Sequence, residues 1–470
     1  MKKLFYVFSV FLLFSLPNGA ASAQALNAAD LHFSSTVVDG HNDTMMKVVD
    51  PGTWLPVTNI RNSTDFQVDI PKIQAGGLDV PFFAAYTSGY YGNTPRSLSR
   101  TLALINALYW TQKQNSDVMH ITSSFKDIQT AVKGGKIAAF PTIEGAYSLE
   151  EKNAIELLHQ YYDLGIRAVG FTWNYSNALG EGANKVYGDP ARTPSSGGLT
   201  ELGEEVAREM NKLGMIIDAS HMSENTFWDV IKVSQAPIIA SHSGAYSLRS
   251  HQRNLTDDQL KALAENGGVV GVVLYPEFLT DRYPNEPASI KDYVDHIDHV
   301  VKVTGIDHVA LGSDFDGGPL PADLKDSSEL PKITKELVSR GYSKQDLQKL
   351  LGENMLRVLR EVEKAADYKP ADDSKNLNLV PSLQMGETIA SNTPLLTAKV
   401  EGKQLAQLKR ESLRIVVDGI PYTPHFNQET SAVSVQLQEP LKEKFHVVTF
   451  EAKTSTGKAA KETRIFYINQ

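Results

Sequence analysis

The chain has 470 residues, 41% hydrophobic and 21% charged, values of ordinary globular protein that exclude wholesale disorder and fibrous repeats and allow two or three domains. Lys and Arg number 46 against 55 Asp and Glu, a net charge of -9, the wrong balance for neutralising phosphates, so no nucleic-acid partner is expected. There is no cysteine, which removes disulfides, a thiol nucleophile and a lipid-anchored N-terminus, and leaves His, Asp and Glu to make any metal site.

Residues 1–23 read as a signal peptide. Lys2 and Lys3 start it, Leu4 to Leu16 form an apolar run, and Ala21-Ser22-Ala23 is a small-residue cleavage site. The run is short for a bilayer, and no other stretch approaches the roughly 18 apolar residues of a transmembrane span. Export to the periplasm or the medium is expected, and removing the two lysines would take the charge from -9 to -11.

From residue 36 to 366, eight short apolar or β-branched runs alternate with longer segments of helical spacing. The runs are Thr36 to Gly40, Leu78 to Ala85, Ile137 to Ile143, Ala168 to Thr172, Met215 to Ala219, Pro237 to Ala240, Gly268 to Leu274 and His308 to Gly312. Most lack polar alternation, as strands buried on both faces do. Leu202, Val206, Met210 and Leu213 recur at helical spacing before Gly214, which predicts a helix and its stop. The fold class predicted is α/β, a (β/α)₈ TIM-like barrel over residues 24–366. A doubly wound sheet would carry a Gly-rich phosphate turn where Asp39-Gly40-His41-Asn42-Asp43 stands.

Residues 367–390 are polar, lose periodicity and contain Pro370 and Pro381, which predicts a linker. Alternating runs at Leu413 to Val417, Ala432 to Leu437, His446 to Glu451 and Arg464 to Ile468 predict a small all-β, Ig-like sandwich over residues 391–470, with no sign of chemistry in it.

The polar residues that matter stand at the C-terminal ends of the runs, which a barrel gathers into one mouth. His41 and Asp43 follow the first run, Glu144 the third, His221 the fifth, His242 the sixth and Asp314 the eighth. Singly each has a plainer role: Glu144 as a helix cap, a histidine as a packing residue, Asp314 and Asp316 as turn residues. Jointly they suit a pair of divalent cations held by imidazole and carboxylate. Glu144 is the natural bridge, fixing two ions roughly 3.5 to 4 Å apart. His41 and Asp43 would hold one cation, and His221 and His242 the other. Asp314 is left beside the bridging solvent as a proton shuttle.

These residues resemble the membrane (renal) dipeptidase family of di-zinc barrel hydrolases. The resemblance runs over about residues 36 to 366 and rests on Asp39-Gly40-His41-Asn42-Asp43, Gln67-Val68-Asp69-Ile70-Pro71-Lys72, Ala75-Gly76-Gly77 and Ile143-Glu144-Gly145. It continues through Gly198-Leu199-Thr200, Asp218-Ala219-Ser220-His221, Ser241-His242-Ser243, Gly312-Ser313-Asp314-Phe315-Asp316-Gly317 and Gly352-Glu353-Asn354. It implies two Zn²⁺ on His41, Asp43, Glu144, His221 and His242, with Arg253 gripping the substrate's carboxylate and Tyr275 lining the pocket. It also makes a homodimer an available state. One departure stands out: where mammalian members place an oxyanion-stabilising histidine, this chain reads Phe171-Thr172-Trp173-Asn174-Tyr175. Either zinc, Asn174 or another donor then serves the oxyanion, or activity and substrate range differ from those relatives, and Trp173 is expected to shape the pocket.

The expected function is a zinc-dependent dipeptidase acting on dipeptides with a free C-terminal carboxylate, by attack of a metal-bridging hydroxide. Two rivals use the same residues: a hydrolase of lactams or other small amides, and a binding protein that has lost catalysis.

Overall fold

Each of the eight apolar runs becomes a strand. The computed structural model describes residues 27–183, 195–368 and 376–469, so the predicted signal peptide lies outside the described residues. The strands are β1 Val38–Asn42, β2 Val80–Tyr86, β3 Met119–Ile121, β4 Ile137–Glu144, β5 Ala168–Gly170, β6 Ile216–Asp218, β7 Ile239–Ser243, β8 Val269–Val272 and β9 Val309–Leu311. Pairing runs β2-β1-β9-β8-β7-β6-β5-β4, all parallel, and β2 pairs again with β4 to close an eight-stranded barrel. β3 is the addition: it pairs only with the start of β4, outside the ring. Its three residues include exposed His120, too short and too polar to stand out by hydrophobic pattern.

The alternation of a strand decides what the barrel holds. Phe82, Ala84 and Tyr86 of β2 are level with Phe140, Thr142 and Glu144 of β4. Phe82 and Phe140 meet with ring centroids 4.3 Å apart. With Val38, Val80, Ile216 and Ile239 they fill the N-terminal half of the interior, which Met355, Val358 and Leu359 of helix Asn354–Ala365 close from below. Four residues further along β4 the same inward face presents Glu144 at the C-terminal mouth. The predicted helix is Glu201–Leu213, capped by the Thr200 hydroxyl at one end and by Gly214 at φ 76° at the other. Among the described residues no helix is long and apolar enough to cross a membrane.

The C-terminal region forms two sheets. Strands Asn378–Pro381, Leu395–Glu401, Ala432–Gln436 and His425–Asn427 make one, in that order. The other is Glu387–Ile389, Ala459–Ile468, Phe445–Thr454, Leu408–Val417 and Ile420–Tyr422. The sheets share a core of Leu379, Leu396, Ile415, Val448, Phe450 and Phe466. Two of these strands fall within 367–390, so the stretch expected as a linker is corrected: it contains sheet. Leu377, Leu379 and Leu383 are buried there, an alternation hidden in the sequence by surrounding polar residues and by Pro381, which sits at the end of an edge strand.

The larger sheet is covered on both faces. Val448, Phe450 and Phe466 point into the sandwich, while Phe445, Val447 and Ile465 join the continuous core of the barrel. Polar contacts seal this seam. The Phe445 N–H donates to Ser99 Oγ at 3.0 Å, and the Gly419 N–H donates to Gln160 Oε1 at 2.7 Å. Lys461 lies 2.8 Å from Asp163.

Candidate metal centre

The first two acidic and imidazole groups are placed by stitching between β1 and the loop after β9. The buried Asp39 carboxylate accepts from the Ser313 N–H and hydroxyl, both at 2.7 Å, and burial pushes Asp39 up to about 6. The Asp314 N–H donates to His41 O and the Asp43 N–H to Phe315 O. His41, Asp43 and Asp314 are thereby brought to one corner of the mouth. Gly317 permits the approach, because a Cβ there would stand 2.3 Å from Asp314 Oδ1 and 2.7 Å from Asp43 Oδ2. Asp316 is instead structural: its carboxylate accepts from the Thr44 hydroxyl and the Gln67 N–H, both at 2.8 Å.

The two Ala-Ser-His triplets interlock at adjacent strand ends. Ser220 Oγ accepts from the His242 N–H at 3.0 Å, and Ser241 donates its hydroxyl to Asp218 Oδ2 at 2.5 Å. With its proton committed to Asp218, Ser241 Oγ accepts from His242 Nδ1 at 2.8 Å. His221, at φ 67°, likewise donates from Nδ1 to Asn174 Oδ1 at 2.8 Å. Both rings therefore carry their proton on Nδ1 and turn an Nε2 lone pair inward.

These lone pairs meet Glu144. Its Oε1 lies 2.9 Å from His221 Nε2 and 3.5 Å from His242 Nε2, and the two Nε2 atoms are 2.9 Å apart. On the other side Glu144 Oε2 is 3.4 Å from His41 Nε2, itself 3.8 Å from Asp43 Oδ2. All five groups are at most 7% exposed. Burial, aided by Arg253, pushes His221 down to about 3. Burial and the His41 charge hold His242 well below the usual histidine range. His41 is held well above it, the Glu144 and Asp43 carboxylates outweighing burial. Burial acts on Glu144 in the opposite sense, and His41 with the two other imidazoles outweighs it, leaving Glu144 well below the carboxylate range. Burial is also the main cause of the raised Asp314, partly offset by His41.

This donor set fits cations. Three inward-facing acceptor atoms of His221, His242 and Glu144 have no proton to share, and His41 Nε2, Asp43 Oδ1 and Glu144 Oε2 are buried without a hydrogen-bond partner, an arrangement costly unless a positive ion completes it. The ligand atoms group as Glu144-His221-His242 and His41-Asp43-Glu144, with Glu144 common to both, and as His41-His242-Asp314. Imidazole and carboxylate are ligands for zinc and neighbouring divalent metals.

A cavity of about 150 Å³ opens onto this cluster, lined among others by Arg253, Tyr275, Trp173, Tyr86 and Phe278. Arg253 is 4% exposed, donates from Nη2 to His242 O at 3.1 Å and faces the Phe278 ring at 5.5 Å. Tyr275 stacks on Phe278 at 4.7 Å, and burial pushes its phenol up to about 12. Every candidate site residue is thus brought together. A larger depression, about 850 Å³, lies at the barrel's N-terminal face beside Thr36, Asp307 and Arg360; it contains no convergent set of His and carboxylate ligands. Sequence reasoning did not assign the supports Asp39, Asp218 and Ser241 or the pocket walls Met46, Tyr86 and Phe278. The repeated Ser before each His, with Asp218 two residues ahead of Ser220, was the available signal for the supports.

The chain matches the membrane dipeptidase family, Peptidase family M19, over residues 26–373. An uncharacterized dipeptidase of Schizosaccharomyces pombe is 36% identical over 346 residues, 70% of this chain and 81% of the relative. Among solved structures, a metallopeptidase of Rhodobacter sphaeroides liganded with a phosphinate mimic of the dipeptide L-Ala-D-Ala is 26% identical, with a TM-score of 0.61 over 70% of this chain and 99% of its own. The probable dipeptidase PvdM of Pseudomonas aeruginosa is 27% identical, with a TM-score of 0.62 over 72% and 98%. With a barrel of this kind and a histidine and carboxylate cluster at its mouth, the chain belongs to the membrane dipeptidase family and is a peptide-bond hydrolase of the metallopeptidase class.

Proposed function

We propose that the protein is an exported dipeptidase that uses two zinc ions and requires a free C-terminal carboxylate on its substrate. The observation that carries this reading is the placement of Glu144 between His41 and Asp43 on one side and His221 and His242 on the other. His41 and Asp43 would hold one ion, His221 and His242 the other, and Glu144 both. When bound, the ions supply Lewis acidity toward the scissile carbonyl and a water of pKa about 7, so no Ser or Cys nucleophile is needed.

The chain's own groups complete the chemistry. The Arg253 guanidinium, anchored by the His242 carbonyl and the Phe278 ring, offers a planar fork to the substrate carboxylate and sets the peptide's direction. Asp314 carries a proton to the departing amine from the corner it shares with Asp43. Tyr275 and Trp173 wall the pocket. The buried mouth excludes bulk water and strengthens each of these interactions. The dipeptide mimic bound to the Rhodobacter relative supports a substrate of this size. Export rests on the targeting pattern of residues 1–23.

Elemental analysis of the purified protein is expected to find two divalent ions per chain, and amino-acid release from dipeptides to stop with a chelator and return with zinc. Full activity in metal-free protein would overturn the reading, and equal activity on C-terminally amidated dipeptides would overturn the role of Arg253.

A further inference from the structure

The barrel's closure places the substrate's two ends. In the ring β2-β1-β9-β8-β7-β6-β5-β4, strands β7 and β2 are four apart in either direction and so stand on opposite walls. Arg253 comes from the segment after β7, and the ligand cluster lies between the walls. A dipeptide held by its carboxylate at Arg253, with its peptide carbonyl over the cluster, extends its amino-terminal residue toward β2.

That wall is aromatic from the metal cluster out to solvent. Tyr86, the last residue of β2, is level with Glu144 and meets Trp173 edge to face at 5.4 Å. Trp173 adjoins Tyr175 at 5.9 Å and Tyr90 at 6.5 Å, and Tyr90 adjoins Tyr175 at 5.0 Å. Tyr90 is 74% exposed, so its ring is open to solvent at the outer end of this row.

The wall is also held in place. The Tyr147 hydroxyl donates to Tyr175 O at 2.5 Å and accepts from the Trp173 N–H at 3.2 Å. Gly89, beside Tyr90, packs so closely that a Cβ would lie 2.6 Å from Tyr147 Oη and 2.8 Å from Tyr175 Cβ. The cavity of about 150 Å³ is the size that one benzene-like group fills. Tyr86 and Trp173 line this cavity directly, and Tyr175 and Tyr90 continue the aromatic surface outward from Trp173.

We infer that Tyr86, Trp173, Tyr175 and Tyr90 form the subsite for the side chain of the substrate's amino-terminal residue and select dipeptides in which that residue is aromatic. The inference rests on the dipeptidase reading and names its substrate class. A ring lying on this wall gains offset or edge-to-face contacts with Tyr90 that a methyl group does not.

The test compares kcat/KM for phenylalanyl-alanine and alanyl-alanine, each with D- and L-alanine at the second position, in the zinc-loaded full chain and in Tyr90→Ser. The unmodified enzyme is expected to prefer the phenylalanyl substrate. Tyr90→Ser is expected to lower kcat/KM for it by about three- to tenfold, the range of an aromatic pair, with alanyl-alanine changed less than about twofold. An equal loss on both substrates, or no loss on either, overturns the inference. If neither dipeptide is turned over, the dipeptidase reading fails by itself, and calorimetry still decides the wall. A Tyr90-dependent preference in binding phenylalanyl-alanine supports it, and equal affinities for the two dipeptides overturn it.

Discussion

His221 and Asp314 hold φ values of 67° and 63°, a left-handed backbone that costs about 1 to 2 kcal/mol in a residue with a Cβ. Such strain is retained where the surroundings force it, and at His221 the forcing partners are visible. Its carbonyl accepts from the Thr172 hydroxyl at 3.0 Å and from the Ala183 N–H at 2.8 Å, and its ring is tied to Asn174. Asn174→Ala is expected to weaken metal binding about 10- to 100-fold, the usual effect of losing an outer-shell partner, as read by chelator competition. Asn174→Asp keeps the acceptor and is expected to lose less. Arg253→Lys is expected to raise KM about tenfold or more with a smaller change in kcat, because an ammonium cannot reproduce the bidentate fork. Steady-state kinetics on a dipeptide checks it, and an unchanged KM would remove Arg253 from substrate binding.

Among the elements, the loop after β9 and the start of the Phe445–Thr454 strand each carry a prediction. In the first, Gly317→Ala forces a methyl group between the Asp43 and Asp314 carboxylates. Activity is expected to fall by about 100-fold or more, since small displacements of reacting groups are that costly, while circular dichroism stays unchanged. In the second, His446 donates from Nδ1 to Asp418 Oδ2 at 2.7 Å and from Nε2 to Glu443 O at 2.6 Å. Two acceptors require both ring nitrogens protonated, so this histidine is charged in the fold. Burial works against the charge, but Asp418 and the Glu443 carbonyl hold His446 above the usual histidine value of 6.5. A raised folded value means that the stabilisation is complete below the unfolded pKa and is lost as pH rises through the folded one. Thermal unfolding midpoints are expected to decline from mildly acidic toward alkaline pH, and His446→Gln to flatten that decline.

For the whole molecule, the decisive feature is that barrel and sandwich share a core. Phe445, Val447 and Ile465 are counted with barrel residues such as Leu102 and Leu157 in one apolar cluster. Unfolding either part alone would expose this shared apolar surface, so calorimetry on the full chain is expected to show one cooperative transition. A chain ended at Tyr368 would expose the apolar seam and is expected not to accumulate as soluble protein. Two separable transitions, or a stable truncated barrel, would contradict this arrangement.

The barrel is legible in the chain's order of residues, because buried parallel strands must be nearly continuous apolar strings and the chain has eight of them in β1, β2 and β4 to β9. The same order also points to His41, Asp43, Glu144, His221, His242 and Asp314, since a strand's C-terminal end in a barrel has only one place to face. Helix Glu201–Leu213 was legible from its period and its stop. The remaining features come from the folded arrangement, because they depend on groups distant along the chain. Asn174 and Ser241 set histidine tautomers through contacts that no spacing encodes, and strands Asn378–Pro381 and Glu387–Ile389 are defined by partners up to 79 residues away. Likewise, opposing walls for Arg253 and Tyr90 exist only once β2 meets β4 and the ring closes.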